Sequence, residues 1–307
     1  VVIGHEVGTG FDLYGRMLAR HMGRFIPGNP NPVPENMIGV AGFAAANWLY
    51  NVAAKDGSVI AHFAHSAPFE PLLGRATGRF DASKYTWIGN MDTATGVCGV
   101  WDHAGIKTFD ELFSKEIIVG AGGAGTSGPL TQFPTALRRL LGVKLRLIQG
   151  YKGSAAIKLA LMRGELQGIC GIPVSTLKTE WKDDWSAGRF KVIIQLGRER
   201  HPDLGDIPHV YDYTKTPEDR QVFDLIFGLQ AIGRPFAAPP GIPPERAAAL
   251  RSAFMAMTKD ERFRAEAQKL SLDVTPSTGE QVQDFVTRIY GSPKAIVDRA
   301  KDALRLD

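Results

Sequence analysis

Sulfur is scarce in this sequence: its only two cysteines, Cys98 and Cys170, stand 72 residues apart, which excludes a CxxC redox motif and a cysteine zinc knuckle. They either pair or lie as buried thiols. No apolar run approaches the ~18 residues that a bilayer-spanning helix needs. An excess of one charge is missing too, since 36 basic against 32 acidic residues leave +4 with the signs interleaved. Without a basic block, nucleic acid is not an expected partner, and the weak positive field favours small anions. There is no short-period repeat, no low-complexity tract and no HExxH. What is present is an ordinary globular chain of 307 residues, 44% hydrophobic and 22% charged. At ~150 residues per domain, that length predicts two domains. The first residues, Val1-Val2-Ile3-Gly4, read as a strand entering a turn with no initiator Met, the pattern expected after removal of a secretory signal.

Short apolar runs alternate with amphipathic stretches almost from end to end, the pattern of βαβ units, so the class is α/β with mostly parallel sheets. Strands are predicted near 1–5, 33–37 and 59–63, with helices over 12–25 and 41–52. Leu13, Met17, Leu18 and Met22 share one face of the first helix, with Arg16, Arg20 and Arg24 on another. After 85–101 the series restarts, with helices at 109–114, 130–141 and 154–163 and strands at 116–119, 144–148, 167–170 and 191–196. A second crossover over 225–232 leads into the proline-rich stretch 235–244 and three C-terminal helices. Those helices need a sheet, and the N-terminal one is expected to supply it. The predicted domains are therefore 1–97 with 230–307, and 98–229, with a ligand cleft between them.

Two Gly-rich strand-to-helix loops carry the chemical signal, His5 to Asp12 and Gly120 to Gly128. Such loops present main-chain N–H groups at a helix N-terminus, where orphan donors and the dipole favour an anion. Each also reads as a tight βα turn with Asp12 or Ser127 as N-cap and Pro129 in the first turn. Sharper motifs fail on named residues. GAGGAG fits GxGxxG but lacks a ribose-binding acid ~20 residues on. Thr126 stands where a P-loop needs Lys. GTSGP lacks the second glycine of a nucleophile elbow. His62 and His65, three apart, are expected on opposite faces. Asp110 and Glu111 read as a helix start. Trp181 and Trp185 are either core or a ligand platform, and Lys152 either assists an anion or is merely solvated. No catalytic residue, metal site or cofactor is expected.

The collinear order of HEVGTGFD, MIGVAG, KDGSVIA, GAGGAGTSG, GYKGSAAIKLALMRGELQG and LGDIPHV resembles the Bug family, the periplasmic substrate-binding proteins of tripartite tricarboxylate transporters. The resemblance spans essentially the whole chain and implies a two-domain, Venus-flytrap, periplasmic-binding-protein-like fold. It further implies a receptor that is not an enzyme and that captures a small organic carboxylate, a dicarboxylate or an aromatic acid. By the same resemblance the receptor passes that ligand to membrane permease subunits and is a periplasmic monomer. Carried over by position, the family's first ligand loop falls on Val7, Gly8, Thr9, Gly10, Phe11 and Asp12. Its second falls on Ala121, Gly125, Thr126 and Ser127, and Gly39, Ala41, Ser66, Lys152 and Gly153 complete the cleft.

This sequence departs from the family pattern in places. Gly4-His5 replaces Pro-Phe, Gly8-Thr9 replaces Gly-Gly, and Gln167 replaces an Asp. His5 and Phe11 are therefore expected to shape a distinct ligand end. Micromolar binding needs ~8 kcal/mol, and at ~1.5–3 kcal/mol each before ordering costs about four or five charge-assisted hydrogen bonds suffice on that scale, without an arginine clamp. The competing readings are a nucleotide-dependent oxidoreductase built on GAGGAG and the effector domain of a transcription regulator.

Overall fold

The structure, a computed structural model, describes residues 1–39, 42–74, 80–122 and 128–305. In chain order the strands begin with β1 (Val2–Ile3), β2 (Glu35–Asn36), β3 (Ala61–His62), β4 (Thr86–Asn90), β5 (Gly96–Trp101) and β6 (Ile117–Gly122). They continue with β7 (Leu145–Tyr151), β8 (Gly168–Pro173), β9 (Phe190–Leu196), β10 (Pro235–Ala238) and β11 (Ser277–Thr278). The helices are α1 (Gly10–Met22), α2 (Phe43–Asn51), α3 (Pro129–Leu141), α4 (Ser154–Met162), α5 (Val174–Lys178) and α6 (Lys182–Ser186). After them come α7 (Pro217–Ile226), α8 (Pro244–Lys259), α9 (Glu261–Lys269), α10 (Gly279–Tyr290) and α11 (Lys294–Ala303).

The chain divides into two compact units, Val1–Thr93 with Ile232–Ser292, and Ala94–Ala231 with Pro293–Asp307. Unit 1 is built on a sheet of order β11-β4-β10-β3-β1-β2. Its core joins the apolar face of α1 (Tyr14, Met17, Leu18 and Met22) to Leu250, Phe254 and Met257 of α8 and to Phe236 of β10. Unit 2 has a sheet of order β7-β6-β8-β5-β9. Trp181 is fully buried in its core, with Phe190 at 4.7 Å, and Trp185 packs partly against the same cluster. Both tryptophans are thus core rather than a ligand platform.

Both sheets are mixed, which corrects the expectation of mostly parallel ones. In unit 1, β1 runs parallel to β2 and β3, while β10 is antiparallel to β3 and β4, and β11 to β4. In unit 2, β6 is parallel to β7 and β8, but β5 is antiparallel to β8 and β9. Helical crossovers enforce parallel pairing only between the strands they join. The strands β4, β5 and β10 instead flank the two passages of chain between the units, and alternation of strand and helix does not set their direction.

A second correction concerns residues 293–307, which group with unit 2 and not with the N-terminal domain. Helix α11 lies on α7 and α3, where Arg299 pairs with Asp219 and Val297 and Ala300 are buried. Cys98 on β5 faces Cys170 on β8 in register, and the two form a disulfide. Among the described residues no helix is long and apolar enough to cross a membrane.

Candidate functional site

In unit 1 the sheet register gathers the chemistry at one edge. β1 and β3 are parallel and end there, at Ile3 and His62. β10 runs the other way with Phe236 opposite His62, so the residue before it, Arg234, lies beyond those same strand ends. The carboxyl ends of parallel strands, capped by a helix N-terminus, are where open α/β sheets bind ligands.

The loop from β1 to α1 is fastened by its own polar groups. The Gly4 N–H donates to the His62 carbonyl at 2.8 Å. An added Cβ at Gly4 would lie 2.7 Å from the Gly42 Cα, so only glycine lets the two backbones approach. Thr9, not Asp12, is the N-cap of α1: its Oγ1 accepts from the Asp12 N–H at 3.3 Å. Asp12 is fully buried and accepts from the Gly8 N–H at 2.9 Å, from Arg16 Nε at 2.9 Å and from Asn36 Nδ2 at 2.8 Å. Burial alone would raise its pKa, but these partners prevail and hold the carboxyl below its ordinary value. Asp12 therefore positions the loop. Asn36 also donates to the His5 carbonyl at 2.8 Å. Among the described residues, the Gly10 and Phe11 N–H groups at the start of α1 have no hydrogen-bond acceptor in the chain. Val7 is exposed on the loop.

Around that helix start stands a cluster of rings. His5 stacks on Phe11 at 4.0 Å, Phe11 meets His62 at 5.3 Å, and His62 stacks on Phe236 at 4.3 Å. The Arg234 guanidinium lies 4.3 Å from the Phe11 ring centre and 5.1 Å from that of Tyr14. Burial first, then the charge of Arg234, lowers the pKa of His5 to about 4 and that of His65 to about 4. His62 falls to about 3, chiefly through burial, although its hydrogen bond to the Pro235 carbonyl opposes the shift. That bond, at 2.8 Å to an atom that can only accept, places the His62 proton on Nδ1 and leaves Nε2 a bare acceptor. Nε2 of His62 and Nδ1 of both His5 and His65 are buried without partners. His62 and His65 therefore belong to one cluster, contrary to the expectation of opposite faces. β3 ends at His62, so strand alternation does not extend to His65. No group of acidic, His and Cys side chains suited to a metal occurs among the described residues.

Ser66 follows His65 and accepts the Phe69 N–H on its carbonyl at 2.9 Å. Gly39 precedes α2, with its Cα so close to Ala44 that an added Cβ would lie 2.4 Å from the Ala44 Cβ. Ala41 lies outside the described residues.

Unit 2 holds the remaining expected positions. Ala121 is buried near the end of β6. Gly122 pairs in register with Tyr151, which puts Ala121 and the following Lys152 and Gly153 along one edge of β6 and β7. Gly153 is the N-cap of α4, and Lys152 is exposed. Gln167 accepts the Ile118 N–H on its side chain at 2.9 Å, a role within the sheet. Gly125, Thr126 and Ser127 lie outside the described residues.

No protein-family model and no curated protein sequence matches the chain. Solved structures do. A TctC solute-binding protein from Polaromonas superposes with a TM-score of 0.76 at 20% identity, over 97% of this chain and 96% of that one. The periplasmic binding protein BugD gives 0.66 at 20% identity, over 98% and 96%. MatC from Rhodopseudomonas palustris, solved with bound malate, gives 0.64 at 17% identity, over 99% and 97%. The chain thus has the two-domain α/β fold of periplasmic solute-binding proteins.

Proposed function

We propose that this chain is an extracytoplasmic solute-binding receptor, not an enzyme. It captures a small organic carboxylate and delivers it to a membrane transporter of the tripartite tricarboxylate type. The observation that carries the reading is the anion-ready edge of unit 1. There the unpaired Gly10 and Phe11 amides of α1 meet the cation of Arg234. In unit 2 the reading's own expected positions are Ala121, Lys152 and Gly153, which share one edge of β6 and β7. The likeness to receptors over nearly the full length of both chains supports it, as does the malate bound to MatC. The disulfide Cys98–Cys170 supports an oxidising compartment such as the periplasm. Binding that is tighter in a closed than in an open form drives closure by that difference.

Titration calorimetry with mono-, di- and aromatic carboxylates tests the proposal. At least one acid is expected to bind at micromolar Kd or better and to raise Tm. Absence of heat and thermal shift across the panel, with tryptophan quenching by NADH or NADPH instead, supports the oxidoreductase reading.

A further inference from the structure

We infer that Arg234 is the side chain that recognises the ligand's carboxylate, through the Nε–Nη2 edge of its guanidinium. The inference rests on the receptor reading above and adds to it a charged specificity residue that main-chain capture does not require. Nη1 is engaged by the Gly233 carbonyl at 2.9 Å, and the Arg234 main-chain N–H by Asn90 Oδ1 at 2.8 Å. Nε is buried and has no acceptor, and Nη2 forms no hydrogen bond among the described residues. A buried charged donor without a partner is rare in folded proteins and calls for an explanation. Two parallel N–H groups in one plane are the complement of a carboxylate's two oxygens.

The position fits that role. Nη2 is 3.9 Å from the place a Cβ on Gly10 would occupy, so the open edge lies at the first turn of α1, whose free amides point to the same anion. Phe11 and Tyr14 hold the guanidinium flat by cation–π contact, which fixes the direction of the fork. No carboxylate of the described residues lies within ion-pair distance of Arg234. Asp92, whose charge it does feel, is buried and pushed up to about 6, with Thr275 Oγ1 on its Oδ1 at 2.7 Å. The surrounding imidazoles, of His5, His62 and His65, are held neutral and bring no competing charge. The cation is thus fixed and largely dehydrated on one edge, and it has no ion-pair partner among the described residues.

The test compares acids with their neutral amides. Succinate, malate and benzoate, and the corresponding amides, are titrated into the intact protein, into Arg234→Met and into Arg234→Lys. Wild type is expected to favour at least one acid over its amide by about 100-fold. Arg234→Met is expected to weaken acid binding about 10- to 100-fold, the worth of one charged hydrogen-bonding pair, while amide binding changes little. A purely structural role would weaken acid and amide alike, so an intact acid-to-amide preference in Arg234→Met overturns the inference and leaves the receptor reading standing. Wild type that binds no acid overturns both. A measurement independent of the Met variant is the 15N-resolved Nε–H resonance of Arg234, assigned by its loss in Arg234→Lys. It is expected to move downfield on addition of the bound acid, and an unmoved resonance overturns the inference.

Discussion

Acidification from pH 7 to pH 5 is expected to destabilise unit 1 through its buried imidazoles, and His62 allows the size to be worked out. Its ordinary pKa of 6.5 falls to about 3 in the folded protein. Between those values the unfolded chain binds a proton that the folded chain refuses, so stability rises with pH and is lost as pH falls below 6.5. Integrating over that range gives about 2 kcal/mol lost between pH 7 and 5, with about 1.2 kcal/mol of it between pH 6 and 5. His5 and His65, both lowered to about 4, act in the same direction. Asp92, raised to about 6, acts in the opposite one: its folded form takes up a proton first and returns about 1 kcal/mol. Comparison with His62→Phe isolates one group, because a phenyl ring preserves the stack between Phe11 and Phe236. Urea unfolding at pH 7, 6 and 5, followed by exchange protection of the α1 amides, should show the variant's stability falling less steeply, by about 1.2 kcal/mol per pH unit below pH 6. Parallel pH profiles for the two proteins, or a wild type that gains stability on acidification, would refute the assignment of a neutral buried His62.

Reduction of Cys98–Cys170, or the pair of substitutions to Ala, removes a cross-link between residues 72 positions apart and should cost about 2–4 kcal/mol, seen as a lower urea midpoint. Equal midpoints with and without reductant would mean that the bond does not restrain the unfolded chain. Asp12→Asn weakens the clip on Gly8, Arg16 and Asn36 and should cost about 2–4 kcal/mol while loosening the ligand loop. Its check is thermal unfolding together with exchange of the amides from 5 to 12, and unchanged protection there would separate Asp12 from loop positioning.

The local grammar of the fold was legible. The apolar stripe of α1, the Gly-rich loop before it, Pro129 at the first turn of α3 and the acid-rich start at Asp110 and Glu111 are all set by residues within a few positions of one another. The direction of β5 and β10 was not, because periodicity reports burial and not which neighbour a strand will meet. The place of Arg234 beside the start of α1 is hidden from the sequence for the same reason. Arg234 precedes a proline in an unremarkable stretch, and only the antiparallel register of β10 against β3 delivers it to His62 and Phe11. Alternation puts His62 and His65 on opposite faces only in a strand that runs through both, and β3 ends at His62.

The placement of α11 on unit 2 bears on how the polypeptide is made. Unit 1 is incomplete until residue 292 has left the ribosome, and unit 2 until the helix beyond it has emerged. Both cores therefore stay unfinished until the stretch from 232 to 292 has been made, and unit 2 waits longer still, for α11, so the nascent chain must stay soluble with two open cores in the meantime.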